Sequence, residues 1–303
     1  MKSLLLTLFL IVSLTAFAQE RFITIDGTKI RINKIGIENR KEGQPVIVFE
    51  SGLGTPMGHW DKILNGVSAL APLITYDRPG IGESEADNEM PTVKNVSDKL
   101  IRILKYLDIK PPYVLVGHSL GGAYVRGFAG YYPELLAGLV IIDPADFTET
   151  SLNKREPYLD IGLTNDQIDA LFDKWDKEAE ESKSKPTTKP ESVIEEEEVL
   201  ADLRETDFAE ISEHGLPDIP VHILTGGRYD TPPQFRIQEL NDSLLFRAKM
   251  KHRVERWTDV VQSVDKGMLF YSGDAGHFVH YDDPELLISS IRIILQDYDL
   301  LKK

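Results

Sequence analysis

Short uninterrupted apolar runs alternate along the chain with stretches whose apolar residues recur at helical spacing. The runs are Val46–Phe49, Leu73–Tyr76, Tyr113–Val116, Leu139–Ile142, Val221–Thr225 and Met268–Tyr271. Runs of this kind predict strands of a parallel sheet buried on both faces. Between and beyond them, the spacing predicts helices over about His59–Leu70, Val93–Leu107, Leu120–Tyr131, Phe235–Val264 and Pro284–Leu295. Ahead of the first run, Phe22–Ile25 and Lys29–Ile35 alternate in polarity around Asp26-Gly27, the pattern of a hairpin with a tight turn. The whole predicts an α/β fold with a mostly parallel central sheet and helices on both faces. Ligands in such folds sit at the carboxyl ends of the strands.

The alternation breaks after Asp143-Pro144. Residues 145–215 read as acidic amphipathic helices, one over Asn165–Ser182 and another over Val193–Ile211, joined by a polar, proline-bearing stretch from Ser182 to Pro190. This block predicts a helical cap inserted into a core formed by residues 19–144 and 216–303. Glu195 to Glu198 read as a solvated helix face. Residues 1–18 combine Lys2, an apolar run from Leu4 to Leu14 and Ala16-Phe17-Ala18, the three parts of a secretory signal peptide. Cleavage near Ala18 is expected, with export to the periplasm or the medium and no membrane span in the mature chain.

Composition narrows the function. With 42% hydrophobic and 27% charged residues over 303 positions, the chain has globular composition and ample material for a core. It has no cysteine, which excludes disulfides, thiolate metal sites and a cysteine nucleophile. The formal charge of −15 disfavours nucleic acid and anionic membrane surfaces as partners.

Candidate chemistry gathers at the ends of the predicted strands. Gly117-His118-Ser119-Leu120-Gly121 follows one run and opens a helix, the strand–turn–helix setting that G-x-S-x-G requires. Gly117 and Gly121 would remove side chains around a sharply turned Ser119, whose hydroxyl would project at a helix N-terminus. A serine needs a base. Of the seven histidines, His277 and His280 lie just past the last strand, and His277, among glycines, is the stronger candidate. His118 reads as a packing residue. The base needs a carboxylate. Asp230, just beyond Val221–Thr225, is preferred, and Asp143, at the end of Leu139–Ile142, is its competitor, since chain order admits both. Two backbone donors are needed for an oxyanion. Leu120 follows the nucleophile, and Leu53 lies in Ser51-Gly52-Leu53-Gly54 after the first run.

These residues resemble the α/β-hydrolase superfamily over about Val46 to Leu295, the cap excepted. The resemblance assigns Ser119, Asp230 and His277 to the nucleophile, acid and base positions. It makes Asp77-Arg78-Pro79-Gly80-Ile81-Gly82-Glu83-Ser84 a structural turn and residues 145–215 a lid. Two departures stand out. Ser51-Gly52 replaces the His-Gly of many members, and the interval from Asp230 to His277 is long for the family. That interval carries Arg253, Arg256 and Trp257, read as packing rather than lining a pocket. A serine at the elbow disfavours the aspartate chemistry of haloalkane dehalogenases and epoxide hydrolases. The expected activity is cleavage of a small-molecule carboxylic ester through an acyl-enzyme on Ser119, with no cofactor and no metal. The alternatives are a lactonase, a proline-type aminopeptidase with Glu197 or Asp202 meeting a substrate ammonium, a C–C bond hydrolase, or a hydrolase-like binding protein that does not turn its ligand over.

Overall fold

The computed structural model describes residues 19–301 except 184, 232, 234, 235 and 238; the proposed signal peptide lies outside the described residues. Eight strands form one sheet: β1 Gln19–Ile25, β2 Thr28–Ile35, β3 Val46–Glu50, β4 Leu73–Tyr76, β5 Tyr113–His118, β6 Leu136–Ile142, β7 Val221–Gly226 and β8 Gly267–Ser272. Their order is β1-β2-β4-β3-β5-β6-β7-β8. The β1–β2 hairpin and the β2–β4 pair are antiparallel, and every other pair is parallel.

The continuous apolar runs serve two cores at once, because successive side chains leave a strand on opposite faces. Val46 and Val48 of β3, Leu115 of β5 and Leu139 and Ile141 of β6 enter one core. Ile47 and Phe49, Val114 and Val116, and Val140 and Ile142 enter the other. The first core is covered by α2 (Val93–Tyr106) and α3 (Leu120–Tyr131), the second by α1 (Asp61–Ser68) and α10 (Pro284–Leu301). Helix α2 is started by Thr92, whose hydroxyl accepts from the Asn95 amide.

Between β6 and β7 the chain forms α4 (Glu156–Asp160), α5 (Asn165–Lys183), α6 (Glu191–Glu205) and α7 (Ala209–Ser212). The single helix expected over Val193–Ile211 is broken where Asp207 and Phe208 take left-handed φ of 51° and 53°. Val199, Leu203, Phe208 and Ile211 are buried in the first core. Tyr158, Ile168 and Leu171 instead form a small cluster with Leu245 of α8 (Asp242–Gln262). Helix α8 is shorter than the expected Phe235–Val264. Asn241 caps it, its side chain accepting from the Leu244 amide. A short helix, α9 (Val279–Asp282), precedes α10. Among the described residues, no helix is long and apolar enough to cross a membrane.

Candidate functional site

The site is built where β5, β6 and β3 end side by side. β5 turns into α3 within one residue, and Ser119 makes the turn at φ 55°, ψ −119°. A non-glycine residue there is strained. Its neighbours hold it in place: the Ser119 amide donates to the Ile142 carbonyl at 3.0 Å, and the Ser119 carbonyl accepts from Ala145 at 3.0 Å. A Cβ on Gly121 would collide with the Glu50 and Ser51 carbonyls, and one on Gly117 would collide with the Gly121 carbonyl. Only glycine permits this approach of α3 to the end of β3, as the elbow requires.

The same lacing positions Asp143. The Asp143 amide donates to the Leu224 carbonyl at 2.7 Å, and Asp143 takes φ 37° as the chain leaves β6. Its carboxylate is buried. Oδ2 lies 2.6 Å from His277 Nδ1, and Oδ1 accepts from the Thr225 hydroxyl at 2.8 Å. Burial pushes the carboxyl up, but the His277 bond, the Arg253 charge and the Thr225 bond together hold it below its ordinary range.

The preference for Asp230 is therefore corrected. Asp230 is exposed and ion-paired with Arg228 at 3.1 Å. Arg228 also binds Asp282 at 2.8 Å and the Asp274 carbonyl. The cause is topological: β6 ends beside the serine turn, so the residue that follows it, Asp143, meets the imidazole, while the chain after β7 runs along the far side of the His277 loop, where the Arg228 amide donates to the Ala275 carbonyl at 2.9 Å and the Asp230 carboxylate lies against Gly276. The long interval before His277 was the signal in the sequence. Arg253 and Arg256 pair with Asp146 at 3.3 and 2.6 Å and Trp257 is fully buried, as the packing reading expected.

His277 is exposed on the loop after β8, with its side chain 45% accessible. The loop is tied to the elbow, since His118 Nε2 meets the His277 carbonyl at 3.0 Å and the two rings pack at a tilt with centroids 4.6 Å apart. The Gly276 amide adds a bond to Asp282 at 2.8 Å. His280, the second candidate base, is fully buried.

One ring nitrogen from each of His59, His118 and His280 lies within 4.8 Å of the others, against a wall of Trp60, Phe278 and Tyr281. Burial pushes His59 down to about 4, His280 down to about 3, and His118 well below the usual imidazole value, so all three are neutral near pH 7.

Of the expected backbone donors, Leu120 directly follows the serine and Leu53 follows Gly52 in the loop after β3. Leu120 is the first residue of α3. The loop holding Leu53 presses on the elbow, because a Cβ on Gly52 would lie 3.3 Å from the Ser119 Cβ. Thr55 donates its amide to the Gly52 carbonyl at 3.2 Å, closing the loop as a turn. The Asp77–Ser84 segment has the structural role its motif implied. Buried Asp77 accepts from the Met57 and Glu83 amides at 2.6 and 3.0 Å, and the Ser84 hydroxyl donates to the Asp77 carbonyl at 2.8 Å.

A mostly parallel sheet, a strained serine between strand and helix, and a histidine bound to the carboxylate at a strand end define a hydrolase architecture. The chain belongs to the alpha/beta hydrolase family, whose model matches residues 47–289. It is 34% identical over 127 residues to the Bacillus subtilis protein "Uncharacterized protein YqjL", a stretch covering 42% of this chain and 48% of that protein, so the chain spans about half of that relative's length. It is 21% identical over 285 residues to an AB hydrolase superfamily protein of Gibberella zeae, covering 84% and 87%. Among solved structures, it resembles an enol-lactonase from Burkholderia xenovorans LB400 with TM-score 0.54 and 15% identity, over 91% of this chain and all of that one. This last likeness is one of fold.

Proposed function

We propose that the protein is a serine hydrolase that cleaves a carboxylic ester of a small molecule through an acyl-enzyme on Ser119. The observation that carries this reading is the 2.6 Å bond between the buried Asp143 carboxylate and His277 Nδ1, beside a serine held at a strained strand-to-helix turn. A carboxylate on Nδ1 fixes the tautomer that leaves Nε2 as the proton acceptor. In this mechanism Ser119 Oγ attacks the ester carbonyl carbon as His277 Nε2 takes the hydroxyl proton. Asp143 stabilises the resulting imidazolium. The Leu53 and Leu120 amides receive the oxyanion, a contribution of about 10²–10³ in rate for a single such donor. Collapse of the tetrahedral intermediate expels the alcohol, which leaves with the proton from His277. Water, deprotonated by His277, then attacks the acyl-enzyme and releases the acid.

A fluorophosphonate probe tests the nucleophile: it should label Ser119 in the folded protein and fail to label Ser119→Ala. A panel of aryl esters, lactones and aminoacyl amides then separates the ester reading from the other acyl chemistries of this frame. Folded protein inert both to the probe and to the whole panel would favour a ligand-binding role instead.

A further inference from the structure

Three charged side chains that the proposed mechanism does not use lie buried beside the loop after β3. Glu50 ends β3, Arg78 follows β4 and Glu196 comes from α6 of the cap, with exposures of 2%, 3% and 1%. Arg78 Nη1 donates to Glu50 Oε1 and to the Ser51 carbonyl, each at 2.6 Å. Its Nη2 donates to the Gly52 carbonyl at 2.7 Å, and its Nε donates to Glu196 Oε1 at 2.7 Å. The other oxygen of Glu196 accepts from the Gly54 amide at 2.7 Å. Tyr76 donates its hydroxyl to Glu50, and the Tyr124 ring faces the guanidinium at 5.3 Å.

Stability alone does not account for this cluster. A buried ion group is often no better for folding than apolar side chains of the same volume. Its bonds have a different focus: they take the two carbonyls on one side of Leu53 and the amide on the other. A trans peptide points its C=O and N–H in opposite directions. With the Gly52 carbonyl drawn into Arg78, the Leu53 amide must face away from the guanidinium.

We infer that Arg78 and Glu196 are positioning residues that orient the Leu53 amide as an oxyanion donor, and that docking of the cap helix completes this orientation. The inference rests on the hydrolytic reading above. Arg78 contributes its fork, which a lysine's single ammonium cannot copy. Glu196 contributes a link: it holds Arg78 through one oxygen and the loop through the other. A substrate that displaces α6 therefore loosens the donor, and one that fits beneath α6 leaves the donor aligned. Discrimination between esters then falls on the chemical step as well as on binding.

The test compares wild type with Glu196→Gln, Arg78→Lys and the exposed cap variant Glu198→Gln, using an aryl ester that the wild type cleaves. Three quantities are read: kcat, KM, and the affinity for a trifluoromethyl ketone analogue of that ester, which forms a tetrahedral adduct on the serine. Glu196→Gln and Arg78→Lys should lower kcat about tenfold or more and weaken the ketone by a similar factor, with KM within about twofold. Glu198→Gln should behave as wild type. Thermal melts establish that each variant is folded, and if Arg78→Lys is not, Glu196→Gln decides alone, since glutamine keeps an oxygen for the Gly54 amide. Folded variants with wild-type kcat and ketone affinity, or with a raised KM alone, overturn the inference and leave the hydrolytic reading standing. A wild type inert to both ester and fluorophosphonate removes the hydrolytic reading, and the positioning role falls with it.

Discussion

The carboxylate of Asp143 binds His277 Nδ1 at the point where the chain leaves β6 for the cap, 134 residues before the imidazole in sequence. Asparagine there would keep the shape but offer the wrong hydrogen-bonding partner. Asp143→Asn is expected to lower kcat by about 10³–10⁴. Asp230→Asn, which removes a carboxylate from an exposed pair with Arg228, should stay within about twofold of wild type. Steady-state kinetics on one ester decides between them, and the reverse ranking would restore Asp230 as the acid.

Ser119 spends conformational energy on its position. At φ 55° a glycine is at ease where a serine or alanine is strained, by about 1–3 kcal/mol. Both Ser119→Ala and Ser119→Gly should abolish turnover. Ser119→Gly should also melt at or above the wild-type temperature, and above Ser119→Ala. A glycine variant that melts well below the alanine variant would show that no strain is stored there.

Gly121 and Gly215 offer a matched pair. A methyl group on Gly121 would meet the Glu50 and Ser51 carbonyls, whereas one on Gly215 has nothing within 4 Å. Gly121→Ala should cost more than about 3 kcal/mol or prevent folding, and Gly215→Ala should lie within about 0.5 kcal/mol of wild type. Urea titration of both variants reads the difference.

Acid should weaken the fold well before ordinary carboxylates titrate. Burial depresses His59 and His222 to about 4 and His280 to about 3 in the folded chain, against about 6.5 when unfolded. As pH falls below about 6.5 the unfolded chain binds protons that the folded chain refuses, so stability present at neutral pH drains away toward pH 4. Asp143 and Asp146, both held below the usual carboxylate range, extend the loss to still lower pH. Melting temperatures measured from pH 7.5 to 4.5 at constant ionic strength should decline steadily. A flat profile over that interval would contradict the neutral, buried state of these imidazoles.

The strands and most helices were legible in the sequence because their patterns are local. An apolar run such as Val114–Val116 must be covered on both sides wherever it sits. The serine turn was equally legible, since Gly117 and Gly121 stand two residues on either side of Ser119 directly after an apolar run, even though the crowding at Gly121 comes from Glu50 and Ser51 across the sheet. The acid was not, because choosing between Asp143 and Asp230 requires knowing which strand end stands next to the imidazole, a relation across the sheet. Glu196 was misread for a different reason. Its neighbours are acidic and solvated, but it shares a helical stripe with Ser192, Val199 and Leu203, all buried. Its spacing from Val199 and Leu203 carried that signal, and the run of like charges obscured it.

The carboxylate on that stripe limits how freely α6 can be exchanged. A helix grafted from another protein without a carboxylate at the same turn would leave Arg78 Nε without its acceptor and the guanidinium with Glu50 as its remaining carboxylate, a broken buried pair costing about 3–5 kcal/mol. Helix α6 and the core are a keyed pair, and shuffling one calls for rewriting the other.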